Sequence, residues 1–219
     1  NLMKNNIVLI IQARLNSIRF PEKILKKIDN KSVIELLINR VKRAKTVDKY
    51  VLAIARDKKN FQIKKKLKNK ISIFEGSETN VLDRYYKAAN KYKANIVIRV
   101  CGDCPFVDPT LIDDMVSLFK KSNYDYLSNI IKPTFPDGLD IEIFTFPTLK
   151  YAWRQAKNMS DKEHVTSFIL RNKKFKKNNY KFKKNISNLR LTIDNPEDLK
   201  NINLIYNKLK NKLKFNIND

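Results

Sequence analysis

Two carboxylates and a cluster of cations are the groups in this chain best able to do chemistry. Asp103 follows the apolar run Asn95-Ile96-Val97-Ile98-Arg99-Val100 and stands beside Gly102 in Cys101-Gly102-Asp103-Cys104-Pro105. An Asp just past a strand's carboxyl end lies where open α/β sheets bind ligands, and it suits ligation of a hard cation such as Mg²⁺. A turn Asp whose glycine neighbour supplies the backbone angle is the plainer alternative. A second carboxylate, Asp194, ends the run Leu189-Arg190-Leu191-Thr192-Ile193. Arg14, Arg19 and Lys23, with the hydroxyl of Ser17, follow Ile7-Val8-Leu9-Ile10-Ile11-Gln12-Ala13 and suit a polyanion such as a triphosphate. An exposed basic loop in a lysine-rich chain is the alternative.

Such groups need elements to hold them. Apolar, β-branched runs over residues 7–11, 50–55, 71–74 and 95–100 read as strands. Between them lie helical patterns. Ser32 caps a stripe of Ile34, Leu37, Ile38 and Val41; residues 57–69 form a surface helix carrying Phe61, Ile63 and Leu67; Val81, Tyr85, Ala88 and Tyr92 share one face of a third. This alternation of strand and helix implies a mostly parallel sheet with right-handed crossovers. Asp108-Pro109 reads as N-cap and first position of a helix striped by Leu111, Met115 and Leu118.

After a strand over 124–128 the alternation breaks at Pro133-Thr134-Phe135-Pro136-Asp137-Gly138-Leu139-Asp140-Ile141-Glu142, a shaped loop turning into a strand over 141–144. It is the best candidate for an inserted, substrate-facing segment. Residues 149–156 and 163–170 read as helices, and 188–193 as a strand ending in Asp194. Asn195 caps a last helix with Pro196 at its first position. Its stripe of Leu199, Ile202, Tyr206, Leu209 and Leu213 reads as core packing, with a dimer seam, and so a homodimer, as the alternative. The expectation is one α/β domain over 1–219, with about 130–187 as the substrate-facing region.

Composition limits the partners. A net charge of +24 suggests nucleic acid at first sight. The excess is mostly Lys, however, accompanied by Asn, Ile, Tyr and Phe, all with A/T-rich codons, so genomic base composition carries most of it. The basic stretch 171–184 includes Phe175, Tyr180 and Phe182 and could stack single-stranded nucleic acid. Tyr180 and Phe182 alternate with period two, which favours a hairpin strand with inward aromatics, and nucleic acid is not the expected partner. No apolar run is long enough to span a bilayer and Asn1 to Asn6 lacks signal-peptide character, so a soluble, cytoplasmic protein is expected. Two cysteines in one C-x-x-C agree with a reducing compartment. Only Gly76, Gly102 and Gly138 remain where about 15 glycines would be average, which marks them as places with no room for a side chain.

Six stretches in order carry a resemblance. They are Ile10-Ile11-Gln12-Ala13-Arg14 with Ser17, Arg19, Pro21 and Lys23; Gly76-Ser77 through Val81-Leu82-Asp83-Arg84-Tyr85-Tyr86; Gly102-Asp103-Cys104-Pro105; Pro136-Asp137-Gly138-Leu139-Asp140; Glu163-His164-Val165-Thr166; and Thr192-Ile193-Asp194-Asn195-Pro196-Glu197-Asp198. Over about residues 7–199 the chain resembles the spore-coat polysaccharide branch of the cytidylyltransferase family, related to acylneuraminate and 3-deoxy-manno-octulosonate cytidylyltransferases.

The resemblance implies a Rossmann-like nucleotidyltransferase fold, with CTP and a small-molecule acceptor as substrates and pyrophosphate as a product. It assigns Arg14, Arg19 and Lys23, with Gln12, Ala13 and Ser17, to triphosphate binding, and Asp103 and Asp194 to Mg²⁺, with Arg14, Lys23 and the two acids as the catalytic set. Gly76, Ser77, Asp83, Arg84 and Gly102 fall to the nucleotide side. Asp137, Gly138, Asp140, Glu142, Glu163 and His164 fall to the acceptor side, although a lone histidine is more often a surface or capping residue. Asn16 and Glu22 stand where relatives commonly have glycine. Three rivals are a C-x-x-C thiol redox protein, a nucleic-acid-binding module and a nucleotide-sugar-dependent glycosyltransferase.

Overall fold

The computed structural model describes residues 6–15, 17–212 and 215–219. In chain order the elements are β1 (Ile7–Ala13), a hairpin of β2 (Lys27–Ile28) and β3 (Lys31–Ser32), α1 (Val33–Val41), β4 (Lys49–Ala55), α2 (Phe61–Leu67), β5 (Ser72–Gly76), α3 (Val81–Lys91), β6 (Ile96–Cys101) and α4 (Pro109–Lys121). Then follow β7 (Tyr126–Ser128), β8 (Glu142–Thr145), α5 (Phe146–Gln155), α6 (Met159–His164), α7 (Ser167–Arg171), β9 (Lys177–Asn179) and α8 (Pro196–Leu209). Seven strands form one sheet in the order β5-β4-β1-β6-β8-β7-β9. β1 runs parallel to both β4 and β6, and β8 is antiparallel to its neighbours β6 and β7.

β1 is apolar at nearly every position because both of its faces are covered. Leu9 and Ile11 join the core with α1 and α4, whereas Val8 and Ile10 join the core with α3 and α5. The chain leaves β1 outward to β4 and β5, then returns to β6 on the other side, so the strand order reverses between β1 and β6. The crevice past the carboxyl ends at such a reversal is the place an open α/β sheet offers a ligand. Gly102 closes its floor: its N–H donates to the Gln12 carbonyl at 2.8 Å, and a Cβ there would stand 2.9 Å from that oxygen.

The helix starts follow the capping chemistry. Ser32 and Glu35 form a capping box on α1, Asp108 accepts from the Thr110 N–H ahead of α4, and Asn195 and Asp198 form a second box on α8. The stripe Leu199, Ile202, Tyr206 and Leu209 packs against the core, while Leu213 lies outside the described residues.

Four expectations are corrected. The helix over 163–170 is two helices broken at Val165, whose backbone takes φ 56°, ψ −57°. Residues 188–193 form no strand; Arg190 makes one isolated bridge to Asp137, and Ile193 N–H donates to the Asp103 carbonyl at 3.0 Å. Leu118, expected on the apolar stripe of α4, is exposed, and Phe119 packs beside Leu111 and Met115 instead. Lys177–Asn179 pairs parallel with β7 and makes no hairpin, although Tyr180 and Phe182 do turn inward against Phe135, 6.1 and 5.1 Å between ring centroids. Among the described residues no helix is long and apolar enough to cross a membrane.

Candidate active site

A cleft of about 550 Å³ opens past the carboxyl ends of β1 and β6. Gln12, Ala13, Arg14, Ser17, Arg19 and Lys23 line it from the β1 side, and Cys101, Gly102 and Asp103 from the β6 side. Asp194 and Glu163 complete the wall. The cations of the first loop and the acids Asp103 and Asp194 therefore share one cavity, although eighty and more residues separate the cations from the acids in sequence.

At its centre Lys23 Nζ lies 2.5 Å from Asp103 Oδ2 and 2.8 Å from Asp194 Oδ1. Burial works against a charged lysine, but the two carboxylates outweigh it and its pKa is raised. Burial alone would raise the pKa of Asp194; hydrogen bonds from Lys23 and Arg190 lower it instead. The two acids meet because the segment after Leu191 is bonded to the Asp103 backbone, by Ile193 N–H and, at 3.4 Å, by the Thr192 hydroxyl. The capping box of α8 then fixes the chain beyond, with Asp194 N–H donating to Asp198 Oδ2 at 2.8 Å.

Two carboxylate oxygens converging on one positive charge are a suitable beginning for a Mg²⁺ site, since Mg²⁺ is held by one or two carboxylates plus water and phosphate oxygens. Among the described residues no group of three or more His, Cys, Asp or Glu side chains gathers as a metal cluster. A metal here would take its remaining oxygens from water and the nucleotide.

Arg190 supports this centre and has no part in the expectation from sequence. Its guanidinium binds Asp137, Asp194 at 2.5 Å and Asp198 at 3.0 Å, holding Asp194 from behind. The available signal was its place four residues before one acid and eight before another. Glu22, at the end of the cationic loop, has φ 55°, ψ 23°. That left-handed backbone costs a residue with a Cβ roughly 1–2 kcal/mol, which explains why glycine suits this position. Asn16 lies outside the described residues.

Other expected residues stand elsewhere. Arg84 is buried and donates to the Ser77 carbonyl at 2.7 Å, holding the loop after β5, and Gly76 packs against its side chain. Asp83 accepts from Trp153 Nε1 at 2.9 Å and pairs with Lys87, joining α3 to α5. Asp137 is held by Arg190, and Gly138 has φ 104° and lies so close to Leu191 that a Cβ on it would stand 2.4 Å from the Leu191 backbone carbon. Asp140 is half-buried; burial, then Asp137 and Glu142, push its pKa up to about 6. Glu142 is 2 % exposed with both carboxylate oxygens engaged, and it is not part of the cleft lining.

Glu163 lines the cleft, while His164 is exposed beside it. Both precede the break at Val165, where Thr166 N–H closes a γ-turn on the His164 carbonyl at 2.5 Å. A buried β-branched residue in that conformation stores strain on the order of 1–3 kcal/mol, which persists only where neighbouring contacts hold it. The two cysteines are free, and burial pushes the Cys101 thiol up to about 11 and the Cys104 thiol well above its ordinary range, away from the lowered pKa of a reactive thiolate.

A family model described as cytidylyltransferase matches residues 8–215, and the chain belongs to that family of CTP-dependent nucleotidyltransferases. Its relatives include the spore coat polysaccharide biosynthesis protein SpsF of Bacillus subtilis, 34% identical over 216 residues, covering 93% of this chain and 88% of that one. A cytidylyltransferase from Leptospira borgpetersenii superposes with a TM-score of 0.86 at 27% identity, covering 97% of this chain and 98% of that one. The fold is shared more distantly with CMP:2-keto-3-deoxy-manno-octonic acid synthetase complexed with CTP, at a TM-score of 0.73 and 16% identity, covering 93% of this chain and 99% of that one.

Proposed function

We propose that the enzyme transfers CMP from CTP to a small acceptor and releases pyrophosphate, with Asp103 and Asp194 holding Mg²⁺. The observation that carries this reading is the Lys23 ammonium between the two carboxylates at the reversal of strand order. Arg14, Arg19 and Lys23 bind the triphosphate through charge-assisted hydrogen bonds. The acceptor oxygen attacks the α-phosphorus, the bond from that phosphorus to the bridging oxygen breaks, and pyrophosphate leaves with the electron pair. The same cations stabilise the charge gathering on the leaving group, so catalysis is mostly positioning and neutralisation. Bound Mg²⁺ supplies Lewis-acid polarisation of the phosphate oxygens.

The acceptor class we propose is an acidic sugar or a molecule bearing a phosphate or phosphonate. No histidine lines the cleft among the described residues, and Glu163 is its one carboxylate apart from Asp103 and Asp194. An acceptor whose attacking oxygen is already ionised needs no general base. The role in polysaccharide biosynthesis named for the Bacillus subtilis relative fits a sugar precursor. The test is pyrophosphate release from CTP, ATP, GTP and UTP against a panel of such acceptors. CTP-selective release with at least one acidic acceptor is expected; a preference for UTP or ATP, or release of free nucleotide from a nucleotide sugar, would overturn the reading.

A further inference from the structure

Beneath the cleft lies a chain of polar side chains that the transfer chemistry leaves unused. Glu142, the first residue of β8, stands opposite Arg99 of β6 in antiparallel register, so both side chains leave the sheet on one face. Glu142 Oε2 accepts from Arg99 Nη1. Its Oε1 accepts from the Tyr126 hydroxyl and from the Thr166 hydroxyl, each at 2.6 Å. Arg99 continues the chain in the other direction, its Nη2 donating to Gln12 Oε1 at 3.3 Å.

One end of this chain, Gln12, lines the cleft. The other, Thr166, closes the strained turn at Val165 that follows Glu163, and Glu163 also lines the cleft. In a water-poor interior such charge-assisted bonds are strong and directional, and each partner is expensive to leave unpaired. The Val165 turn, two residues after Glu163, is strained and is tied to the interior by the Thr166 hydroxyl on Glu142, so loss of that bond would favour relaxation of the turn.

We propose that Glu142 is a positioning residue that couples the two walls: a nucleotide against Gln12 is felt through Arg99, Glu142 and Thr166 at the Val165 turn, and so sets where Glu163 stands for the acceptor. This rests on the nucleotidyl-transfer reading of the cleft. Glu142 touches neither substrate; it acts through Thr166 and Arg99.

The experiment is hydrogen–deuterium exchange of the full chain with and without CTP and Mg²⁺. In the parent, CTP is expected to slow exchange over residues 12–23 and, by roughly tenfold, over 159–168, the mark of a turn whose opening has been suppressed. Thr166→Val removes the hydroxyl at nearly constant volume and leaves Glu142 its bonds to Arg99 and Tyr126. It should keep CTP protection at 12–23 and lose it at 159–168, and Thr166→Ser should restore it. Glu142→Gln should repeat the Thr166→Val result. A residue that only stabilises the fold would raise basal exchange in that segment without changing its response to CTP. Protection at 159–168 that survives in Thr166→Val, or a parent protected at 12–23 alone, would overturn the coupling. A parent that shows no CTP protection at 12–23 would overturn the nucleotide reading itself, and the coupling with it.

Discussion

Asp194→Asn separates a metal and phosphate site from a helix cap. If Asp194 merely began the cap of α8, Asn would serve as well as Asp, because the two are equivalent at such positions. The cap is in fact Asn195, and the Asp194 carboxylate faces Lys23, Arg190 and Arg19 instead. Charge-assisted hydrogen bonds contribute about 1.5–3 kcal/mol each. Lys23 keeps Asp103 and Arg190 keeps Asp137 and Asp198, so the loss of stability at pH 7 should be about 1–2 kcal/mol, a Tm lowered by roughly 2–8 °C for a chain of this size. The folded pKa of Asp194 is depressed, so its contribution is present above the unfolded value of 3.8 and is lost as pH falls through the folded one. The Tm difference between parent and variant should therefore shrink in acid. Turnover should fall much further, by roughly 10²–10³, because the lost charge acts where the α-phosphate is transferred. The assay is Mg²⁺-dependent pyrophosphate release, with Tm as the control for folding. Near-parent turnover with an unchanged Mg²⁺ response would refute the two-carboxylate site.

Arg14→Ala and Arg19→Ala should each weaken CTP binding by roughly 10- to 100-fold in calorimetry, the size of a lost charge-assisted phosphate contact; unchanged affinity in both would remove the loop from the nucleotide site. Glu22→Gly relieves the left-handed backbone and removes a negative charge next to Lys23 in the chain, so CTP should bind more tightly, with the gain largest at low ionic strength; no change at low salt would contradict it. Asp140, with a folded pKa pushed up to about 6, holds its proton more tightly folded than unfolded, so its protonation favours folding at low pH and that advantage is gone above pH 6. Asp140→Asn should raise stability at pH 8 by at most about 3 kcal/mol, less as solvent reaches the group, and by little at pH 4; an equal effect at both would refute the burial argument.

The central sheet could be read from the sequence because β1, β4 and β6 are covered on both faces and so are apolar at nearly every position. The caps at Asp108-Pro109 and Asn195-Pro196 were equally plain, since capping is local chemistry. What escaped depends on contacts far along the chain. Val165 and Ile169 are spaced as in one helix, and the break between them is held by Thr166 on Glu142, twenty-four positions earlier. Residues 188–193 look like a strand but find their backbone partners at Asp103, Asp137 and the 137 loop instead of at a sheet edge. The acids Asp103 and Asp194 stand out in the sequence by type and position, while their shared contact with Lys23 and the supporting role of Arg190 exist only once the loops are folded together.

The most direct test of the account is a structure of the enzyme with a non-hydrolysable CTP analogue and Mg²⁺. The triphosphate is predicted to lie on Arg14, Arg19 and Lys23, with the metal on Asp103 and Asp194 and the Lys23 ammonium moved from between the two acids onto phosphate oxygens. An analogue bound away from the cleft past β1 and β6, or a triphosphate that leaves Lys23 clamped between Asp103 and Asp194 with no metal beside them, would contradict it.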